Sequence, residues 1–331
     1  MRHTFACLDG HTCGNPVRVI MSGAPNLRGD TMSARRQDFI AHHDWIRTAL
    51  MFEPRGHDMM SGAFFYPPIS EEADAAILFV ETSGALPMCG HGTIGAVTMA
   101  LENGLISQSN RDEVILDAPA GRIRAEIEWE GEKVAGVRIF NIASFCAIQG
   151  LEVDCPELGQ LTLDIAYGGN FYAIIEPQRN YPGLDALGID RILAISPRLR
   201  DALASVEVVH PEDPTVRGVS HIMWADTPKH PDAHARNAVF YGKRAIDRSP
   251  CGTGTSARMA QLAARGELKP GDAFVHESII GSLFHGRVES AVRLGDVDAI
   301  RPSIRGWAVQ TGVNTIFVDD HDPFRLGFSV S

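Results

Sequence analysis

The chain consists mainly of short apolar runs separated by turn-forming residues. Such runs, bounded by Gly, Pro or Asp, are typical of β-strands. They predict strands at 75–80, 114–116, 122–127 and 173–175. The segment 117–121 supplies a turn between the second and third of these strands. The pattern therefore predicts many short strands joined by tight turns.

Apolar residues at helical spacing form a smaller group of segments. They predict helices at 36–50, 92–103, 190–206 and 253–265. Strands and helices do not alternate with the regularity of a doubly wound parallel sheet. The pattern favours a mixed fold in which a few helices accompany many strands.

An internal repeat is the most informative feature of the sequence. The segment at Cys89 reads Cys-Gly-His-Gly-Thr, and the segment at Cys251 reads Cys-Gly-Thr-Gly-Thr. A second landmark recurs at nearly the same separation, because Asp9 and Asp164 each lie five residues before a Gly-Asn pair. Two landmarks in the same order indicate two related halves. Chance recurrence of Gly-rich turns is the alternative.

Composition and charge narrow the class of partner. The chain has 331 residues, of which 44% are hydrophobic and 21% charged, and its formal net charge is −11. The length favours two domains of ordinary size. The acidic balance argues against nucleic acid or an anionic membrane as a partner. These properties favour an enzyme that acts on a small molecule.

The six cysteines are expected to be reduced thiols. The start of the chain has no apolar segment followed by a small-residue cleavage site, which favours a cytoplasmic location. No Cys-x-x-Cys pair and no His cluster with metal-ligand spacing occurs, so we predict no metal site. A cysteine in an unusual setting is then a candidate for chemistry.

Each repeated cysteine directly precedes a segment that is compatible with a helix, 94–102 in one half and 256–264 in the other. The first N–H groups of a helix have no partner within it, and the positive end of the helix dipole favours a thiolate nearby. The same N–H groups can hold a carboxylate. One motif thus supplies both a base and an anion site.

Two copies of the motif indicate inversion of a carbon stereocentre. Inversion needs a base on one face of the carbon and an acid on the other, and two opposed cysteines can exchange these roles. Exclusion of water by two closing domains would strengthen the contacts to a developing carbanion. A cyclic secondary amine cannot form the neutral imine with which pyridoxal phosphate chemistry starts, so a cofactor-free route suits proline-like substrates.

These motifs resemble the paired signatures of the proline racemase family. The resemblance covers essentially the whole chain and implies a small-molecule substrate, no cofactor and a possible homodimer. It also implies the diaminopimelate epimerase-like fold, an α/β (α+β) architecture of two pseudo-symmetric lobes, each with a sheet wrapped around a central helix. The matching segments are 10–16, 53–60, 88–95, 247–255 and the end around 314–317.

The resemblance assigns boundaries and roles by position. It implies an N-terminal lobe at residues 1–126 plus 308–331, a C-terminal lobe at 127–307, and an active site in the cleft between them. Cys89 and Cys251 become the catalytic pair. The substrate carboxylate would be held by Gly90, His91, Gly252 and Thr253. The substrate ammonium would be held by Asp247. Simple packing at the helix start is the alternative for His91.

Pocket polarity separates the subgroups of the family. The position of Ser61 is Phe in the proline racemases, and the smaller serine leaves room for a ring hydroxyl. His221, on a predicted strand, can hydrogen-bond that hydroxyl, and Tyr241 would cover the ring. A buried polar group left unpaired would penalise proline. We therefore expect interconversion of trans-4-hydroxy-L-proline and cis-4-hydroxy-D-proline. Proline racemisation is the alternative activity. The alternative for Ser61 and His221 is a structural role unrelated to the substrate.

A dinucleotide-binding oxidoreductase is the main rival from another class. Gly90, Gly92 and Gly95 satisfy the GxGxxG fingerprint, and Asp117 falls near the distance expected of a ribose-binding acid. The fingerprint alone is weak, and residues 86–89 separate the preceding strand from the glycines. This interpretation also leaves the second cysteine-headed copy unexplained.

Two further alternatives concern the cysteines. A cysteine hydrolase is conceivable because His91 lies close to Cys89 in sequence, but side chains two residues apart at a helix start are not expected to face each other. A non-catalytic paralogue that binds the amino acid would typically have lost one thiol, and both are present.

Overall fold

The structure is a computed structural model that describes residues 1–330. The chain divides into two compact units. One comprises Met1–Ile139 together with the segment from Arg305 onward, and the other comprises Phe140–Ile304. The sequence-based boundaries, at 126/127 and 307/308, differ from this division, and the first of them falls inside a strand of the N-terminal unit.

The N-terminal unit, numbered here along the chain, begins and ends with strands. Its helices are α1 (Met32–His42), α2 (Asp44–Met51) and α3 (Gly90–Glu102). Its strands are β1 (Arg2–Thr12), β2 (Asn15–Ser22), β3 (Ser61–Tyr66), β4 (Ala75–Glu81), β5 (Gly84–Leu86), β6 (Glu113–Ala118), β7 (Gly121–Glu130), β8 (Lys133–Phe140) and β18 (Ala308–Asp319).

The sheet of this unit surrounds one buried helix. β18 pairs antiparallel with β1, β1 antiparallel with β2, β2 parallel with β3, and β3 antiparallel with β4. β5 forms a hairpin on β4, and β6 pairs parallel with β4 and antiparallel with β7. Helix α3 packs against β1, β2, β3 and β18. Residues 90–100 of α3 are all buried, which requires a helix without a polar face.

The C-terminal unit has its own set of strands and helices. Its helices are α4 (Leu184–Leu187), α5 (Ile189–Ala202) and α6 (Gly252–Ala264). Its strands are β9 (Phe145–Cys155), β10 (Gly159–Tyr167), β11 (Phe171–Ile175), β12 (His221–Asp226), β13 (Ala235–Tyr241), β14 (Ala245–Ile246), β15 (Ala273–Glu277), β16 (Leu283–Leu294) and β17 (Val297–Gly306).

The C-terminal unit repeats the pairing pattern of the N-terminal unit. β9 pairs antiparallel with β10, β10 antiparallel with β11, β11 parallel with β12, and β12 antiparallel with β13. β14 forms a hairpin on β13, and β15 pairs parallel with β13 and antiparallel with β16. Helix α6, buried from 252 to 262, packs against β9, β10, β11 and β16. The predicted internal repeat is therefore confirmed at the level of strand order.

The predicted elements agree with the structure except at two helices. The helix predicted at 36–50 is interrupted at His43, so that α1 and α2 are separate, and α1 begins earlier because Thr31 caps it by accepting a hydrogen bond from the Ala34 N–H. The helix predicted at 190–206 ends at Ala202 and continues as a 3₁₀ turn. Within residues 1–330, every helix is too short or too polar to cross a bilayer.

Three of the six cysteines, the buried Cys7 and Cys155 and the half-buried Cys146, have the character of inert thiols. Burial raises the pKa of Cys7 to about 12 and the pKa values of Cys146 and Cys155 to about 11. Because the thiolate is the reactive form, these side chains are poor nucleophiles at neutral pH. Cys89 and Cys251 differ from these three in lying at the starts of α3 and α6.

Candidate active site

Cys89 caps the N-terminus of α3. Its backbone is extended, with φ −142° and ψ 106°, and the helix begins at the next residue, Gly90. The side chain is buried, with 3% of the residue exposed. The N–H groups of the first helical turn lack partners within the helix and can act as donors to an anion beside the sulfur.

The Cys89 sulfur lies between a histidine and a carboxylate. Its Sγ is 3.6 Å from Nδ1 of His91 and 3.7 Å from Oε1 of Glu81. The expectation that Cys89 and His91 do not face each other is therefore wrong. Cys89 is an extended cap residue and not part of the helix, so its side chain folds back over the first turn, where His91 is located.

Ser61 fixes which nitrogen of His91 carries the proton. The Ser61 hydroxyl donates to the carbonyl of Pro16 at 2.6 Å and lies 2.8 Å from His91 Nε2. A hydroxyl has one hydrogen, so Ser61 can only accept from His91, and Nε2 is the protonated nitrogen. The Asn15 amide nitrogen lies 3.0 Å from the same Nε2 atom, and turning the amide by 180° puts its oxygen there as a second acceptor. The Cys89 sulfur, 3.6 Å from Nδ1 and 3.9 Å from Nε2, lies over the ring beside the edge that carries both nitrogens.

Cys251 caps α6 in the C-terminal unit and has different neighbours. Its backbone is in the left-handed region, with φ +64°, which is unfavourable for a residue other than glycine. Its Sγ lies 3.3 Å from the hydroxyl of Tyr172, and that hydroxyl lies 2.5 Å from Oγ1 of Thr253. The surroundings of this sulfur are hydroxyl groups, whereas those of Cys89 are an imidazole and a carboxylate.

Asp247 holds the strained loop that precedes α6. One carboxylate oxygen of Asp247 accepts from both the backbone N–H and the hydroxyl of Ser249, each at 2.8 Å. The Ser249 hydroxyl oxygen in turn accepts from the Cys251 N–H at 3.1 Å. Asp247, assigned to the substrate ammonium by the resemblance, therefore also stabilises the backbone of Cys251.

A buried histidine completes the support of this loop. The Asn237 amide donates to the carbonyl of Pro250 at 2.8 Å, and the Thr255 hydroxyl donates to the same carbonyl at 3.2 Å. His276 contacts both groups, with Nε2 2.9 Å from the Asn237 amide nitrogen and Nδ1 3.0 Å from the Thr255 hydroxyl. These contacts fix the residue directly before Cys251.

Acid should destabilise the fold through His276. Burial, with a smaller contribution from the Arg258 charge, lowers the pKa of His276 to about 3. The unfolded chain binds a proton at this side chain below about pH 6.5 and the folded chain does not, so stability falls as the pH falls through that range. Urea denaturation should show that the free energy of unfolding falls by about 1.4 kcal/mol more in the wild type than in His276→Gln between pH 7.5 and pH 5.5. The exposed-site variant His321→Gln should keep the loss; an unchanged pH dependence in His276→Gln would contradict the assignment.

The two halves place equivalent residues at equivalent points. Asn15 contacts His91 in the N-terminal unit, and Asn170, from the corresponding Gly-Asn pair, donates to Thr253 Oγ1 at 3.4 Å. The third residue of each helix is a glycine that leaves space for the sulfur. A Cβ added at Gly92 would lie 2.8 Å from the Cys89 sulfur. A Cβ added at Gly254 would lie 3.0 Å from the Cys251 sulfur.

The other predicted substrate contacts, His221 and Tyr241, belong to the C-terminal unit. His221 begins β12, and its ring centroid lies 4.8 Å from that of Tyr172. Tyr241 ends β13, and its ring stacks with His221 at 6.1 Å. Ser220 holds His221 through a contact of 2.7 Å to Nδ1. The structure thus places these two rings in the same cluster as the Tyr172 hydroxyl that contacts Cys251.

Sequence reasoning missed four residues of these sites. Glu81 is the charged residue that ends the apolar run at 75–80, and Tyr172 lies two residues after the repeated Asn170, so each carries a weak signal in the sequence. Asn237 and His276 carry no such signal, because only the pairing of β13 with β15 brings them beneath the Cys251 loop.

The dinucleotide-binding interpretation is wrong. Gly90, Gly92 and Gly95 lie inside α3, and the hairpin β4–β5 separates them from the strand that the fingerprint requires. The Asp117 carboxylate, the predicted ribose ligand, accepts from the N–H groups of Ile69 and Ser70 and closes a loop. The glycines serve the packing of the helix and the room for the sulfur.

The chain belongs to the proline racemase family. The family described as "Proline racemase" matches residues 7–329, which is nearly the whole chain. A relative from Brucella suis biovar 1 (strain 1330), named 4-hydroxyproline 2-epimerase, is 60% identical over 331 residues, which span 100% of this chain and 99% of the relative. The resemblance inferred from the paired cysteine motifs is therefore confirmed.

Solved structures place the fold in the predicted class. The crystal structure of a hydroxyproline epimerase from Agrobacterium vitis, with bound trans-4-OH-L-proline, has a TM-score of 0.91 at 29% identity and covers 99% of this chain and 95% of that one. A PhzF-family phenazine biosynthesis protein from Bacillus anthracis has a TM-score of 0.60 at 15% identity, covering 95% and 99%, and is similar in fold alone. The diaminopimelate epimerase-like class is confirmed.

Proposed function

We propose that the protein is a cofactor-independent 4-hydroxyproline 2-epimerase that interconverts trans-4-hydroxy-L-proline and cis-4-hydroxy-D-proline. The observation that carries this proposal is the pair of buried helix-capping cysteines, one in each repeat, in a chain 60% identical to a relative of that name. A buried thiol at the start of a helix combines a base with an anion site.

We propose further that Cys89 and Cys251 act on opposite faces of one Cα, in a cleft between the two lobes. One sulfur, as thiolate, removes the Cα proton, and the other, as thiol, delivers a proton to the opposite face. The C–H bond breaks as an S–H bond forms, and the second S–H bond breaks as the new C–H bond forms. The two sulfurs exchange roles in the reverse direction.

The surroundings of the sulfurs suggest how each is kept in the required state. The imidazole of His91, with Nδ1 3.6 Å from the Cys89 sulfur, is a nearby base, and the Glu81 carboxylate, 3.7 Å away, accepts a hydrogen bond from the thiol. The hydroxyl of Tyr172 can donate to or accept from Cys251, and its contact with Thr253 provides a partner for either arrangement. The two sulfurs are therefore chemically inequivalent while serving equivalent roles.

Binding of the substrate is assigned to the helix starts. Backbone N–H groups at Gly90, His91, Gly252 and Thr253 would hold the carboxylate, where the positive ends of α3 and α6 stabilise charge that develops on the enolate-like carbanion. The second oxygen of Asp247 would accept from the substrate ammonium. A fixed array of donors in a water-poor site stabilises the transition state more than the ground state.

Recognition of the ring hydroxyl is proposed for the cluster of His221 and Tyr241. His221 offers a ring nitrogen to the hydroxyl, and Tyr241 offers an apolar face to the ring. Proline would leave the imidazole without that partner, which costs about 1–3 kcal/mol for a buried polar group. Proline racemisation is the activity that would result if this cluster contacted only the ring carbons.

The direct test is inversion measured on both substrates side by side. Purified protein without added nucleotide, metal or pyridoxal phosphate is incubated with trans-4-hydroxy-L-proline or with L-proline, and products are separated by chiral chromatography. We expect cis-4-hydroxy-D-proline to accumulate with solvent deuterium at Cα, and proline to react at least about tenfold more slowly. Faster inversion of L-proline would reassign the substrate, and a requirement for nucleotide would overturn the proposal.

Ser61→Ala should separate two roles for this serine. The contacts with Pro16 and His91 favour a positioning role, so the variant should lose about tenfold in kcat on hydroxyproline and proline alike, as expected for one lost hydrogen bond. Direct contact with the ring hydroxyl, the role predicted from sequence, would instead raise KM for hydroxyproline alone. Ser61→Thr, which keeps the hydroxyl, is the matched control and should retain most of kcat.

A further inference from the structure

The carboxylate of Glu81 favours the protonated form of Cys89. Its Oε1 atom accepts a hydrogen bond from the thiol at 3.7 Å. The Ser83 hydroxyl donates to Oε2 at 2.9 Å, and the Arg47 guanidinium lies 3.0 Å from the backbone carbonyl of Glu81. A donor and a positive charge beside a carboxylate both favour its ionised form. A thiolate at Cys89 would face this like charge at short range, whereas a thiol gains a hydrogen bond.

The imidazole of His91 is a nearby base, but its ring is not aligned with the thiol. The sulfur lies over the ring, 3.6 Å from Nδ1 and 3.9 Å from Nε2, whereas the lone pair of an imidazole nitrogen lies in the ring plane. Ser61 accepts the hydrogen on Nε2. At the start of α3, Glu81 is therefore the group placed to hold the thiol hydrogen.

At Cys251 the neighbouring polar groups form a chain of donors that ends at the sulfur. The Asn170 amide donates to Oγ1 of Thr253 at 3.4 Å. The Thr253 hydroxyl lies 2.5 Å from that of Tyr172, which lies 3.3 Å from the Cys251 sulfur. With each hydroxyl donating to the next group, the hydrogen of Tyr172 is directed at the sulfur. A donor to a charged atom favours the charged form, and the start of α6 adds partial positive charge.

The other surroundings of the two sulfurs do not reverse this difference. Burial opposes ionisation of both to a similar degree, because Cys89 is 3% exposed and Cys251 is 5% exposed. Asp247, the acidic residue of the loop before Cys251, directs one oxygen to the N–H and the hydroxyl of Ser249. The Cys251 sulfur has a phenol hydroxyl at 3.3 Å, where the Cys89 sulfur has a carboxylate at 3.7 Å.

We propose that, before substrate binds, Cys251 is the thiolate and Cys89 is the thiol, with Glu81 and Tyr172 as the positioning residues that set this division. The division rests on the proposed function, because it names the sulfur that removes the first Cα proton. That turnover moves one proton from carbon to the Cys251 sulfur and another from the Cys89 sulfur to carbon. It ends with the thiolate at Cys89, and the reverse turnover restores the first state.

Alkylation measures the ionisation of each sulfur in the absence of substrate. Full-length protein is pulsed with iodoacetamide from about pH 5 to about pH 10, and mass spectrometry of the digested protein gives the rate at each cysteine. The thiolate is the form that reacts, so the midpoint of each pH profile reports ionisation, whereas accessibility changes only the plateau. We expect the midpoint of Cys251 to lie at least about 1 pH unit below that of Cys89.

Two variants test the positioning residues separately. Glu81→Gln removes the charge beside Cys89, so the Cys89 midpoint should fall by about 1 pH unit while that of Cys251 stays unchanged. Tyr172→Phe removes the last donor, so the Cys251 midpoint should rise by about 1 pH unit and that of Cys89 should stay. A merely structural role would alter the plateaus and not one midpoint alone.

The matched controls carry the same substitutions away from the sulfurs. Glu72→Gln changes an exposed partner of Arg122, and Tyr66→Phe removes a hydroxyl that has no hydrogen-bond partner within residues 1–330. Both controls should keep both midpoints.

The wild-type comparison decides the division even if a variant fails to fold. A Cys89 midpoint at or below that of Cys251, in a protein that inverts hydroxyproline, would overturn the division and leave the proposed function standing. Unchanged midpoints in folded Glu81→Gln or Tyr172→Phe would overturn the role of that residue. The expected midpoints in a protein that inverts neither hydroxyproline nor proline would support the division of charge and overturn the proposed function.

Discussion

Serine in place of Cys89 or Cys251 is expected to lower the rate of inversion by about 10³-fold in both directions. A serine hydroxyl is a far weaker acid than a thiol, so it can neither form the base nor deliver a proton at neutral pH, and a positioned acid or base contributes about 10²–10⁴-fold. In the proposed mechanism each direction uses both sulfurs, so neither single variant should retain one direction. Chiral chromatography from each epimer measures the two rates.

Exchange of the Cα hydrogen adds a signature that a merely misfolded variant lacks. Each variant keeps one sulfur, which can still remove and return a proton on its own face of the carbon. Cys89→Ser and Cys251→Ser should therefore exchange deuterium into opposite epimers without inverting them, as followed by NMR. Cys155→Ser, which removes a buried thiol outside the helix starts, should retain full inversion. Wild-type inversion by either active-site variant would refute the two-base mechanism.

Alanine at Gly92 or Gly254 should abolish most activity while leaving the fold intact. The new methyl at position 92 would lie 2.8 Å from the Cys89 sulfur. At position 254 it would lie 2.8 Å from the end of the Met223 side chain and 3.0 Å from the Cys251 sulfur. A side chain on a single bond moves more easily than the helix. A displacement of about 1 Å at a reacting group can cost about 10²-fold. Alanine also favours a helix over glycine by up to about 1 kcal/mol, so the thermal midpoint should not fall greatly.

Gly312→Ala is the matched control for these substitutions. Gly312 lies in β18, and a Cβ there meets no atom within 4 Å, so both activity and thermal midpoint should stay close to the wild type. Comparison of kcat with the melting curve separates a loss of catalysis from a loss of stability. A Gly92→Ala protein with wild-type kcat would show that the sulfur has room to move without consequence, and that the glycine serves only helix packing.

The parts of the fold predicted from sequence are those encoded by local pattern and by repetition. The strands at β4, β6, β7 and β11 follow from their apolar runs, and α3 and α6 follow from their periodicity. The equivalence of the two halves follows from a few repeated residues, because two copies of the cysteine motif need two copies of the strands and helix that hold it. The same repeated motif also allowed the family and the fold class to be predicted from the sequence.

The parts that the sequence did not predict depend on pairing and on cap geometry. The contact of Cys89 with His91 arises because the cysteine is an extended cap, a property of its backbone dihedral angles and not of sequence spacing. His276 reaches the Cys251 loop only through the register of β15 on β13. The role of Ser61 at His91 likewise depends on the parallel pairing of β3 with β2, which brings it to Pro16.

The unlike neighbours of the two sulfurs have a kinetic consequence. The equilibrium between two epimers is a property of the free molecules, so no arrangement of side chains can bias it. In the proposed two-base mechanism, imidazole beside one sulfur and phenol beside the other should give the two proton transfers unequal barriers. The slow proton transfer should then involve the same sulfur in both directions. That sulfur removes the Cα hydrogen of one epimer but delivers the new hydrogen when the reaction starts from the other epimer. The primary isotope effects for deuterium at Cα, measured from the two epimers, should therefore differ in size.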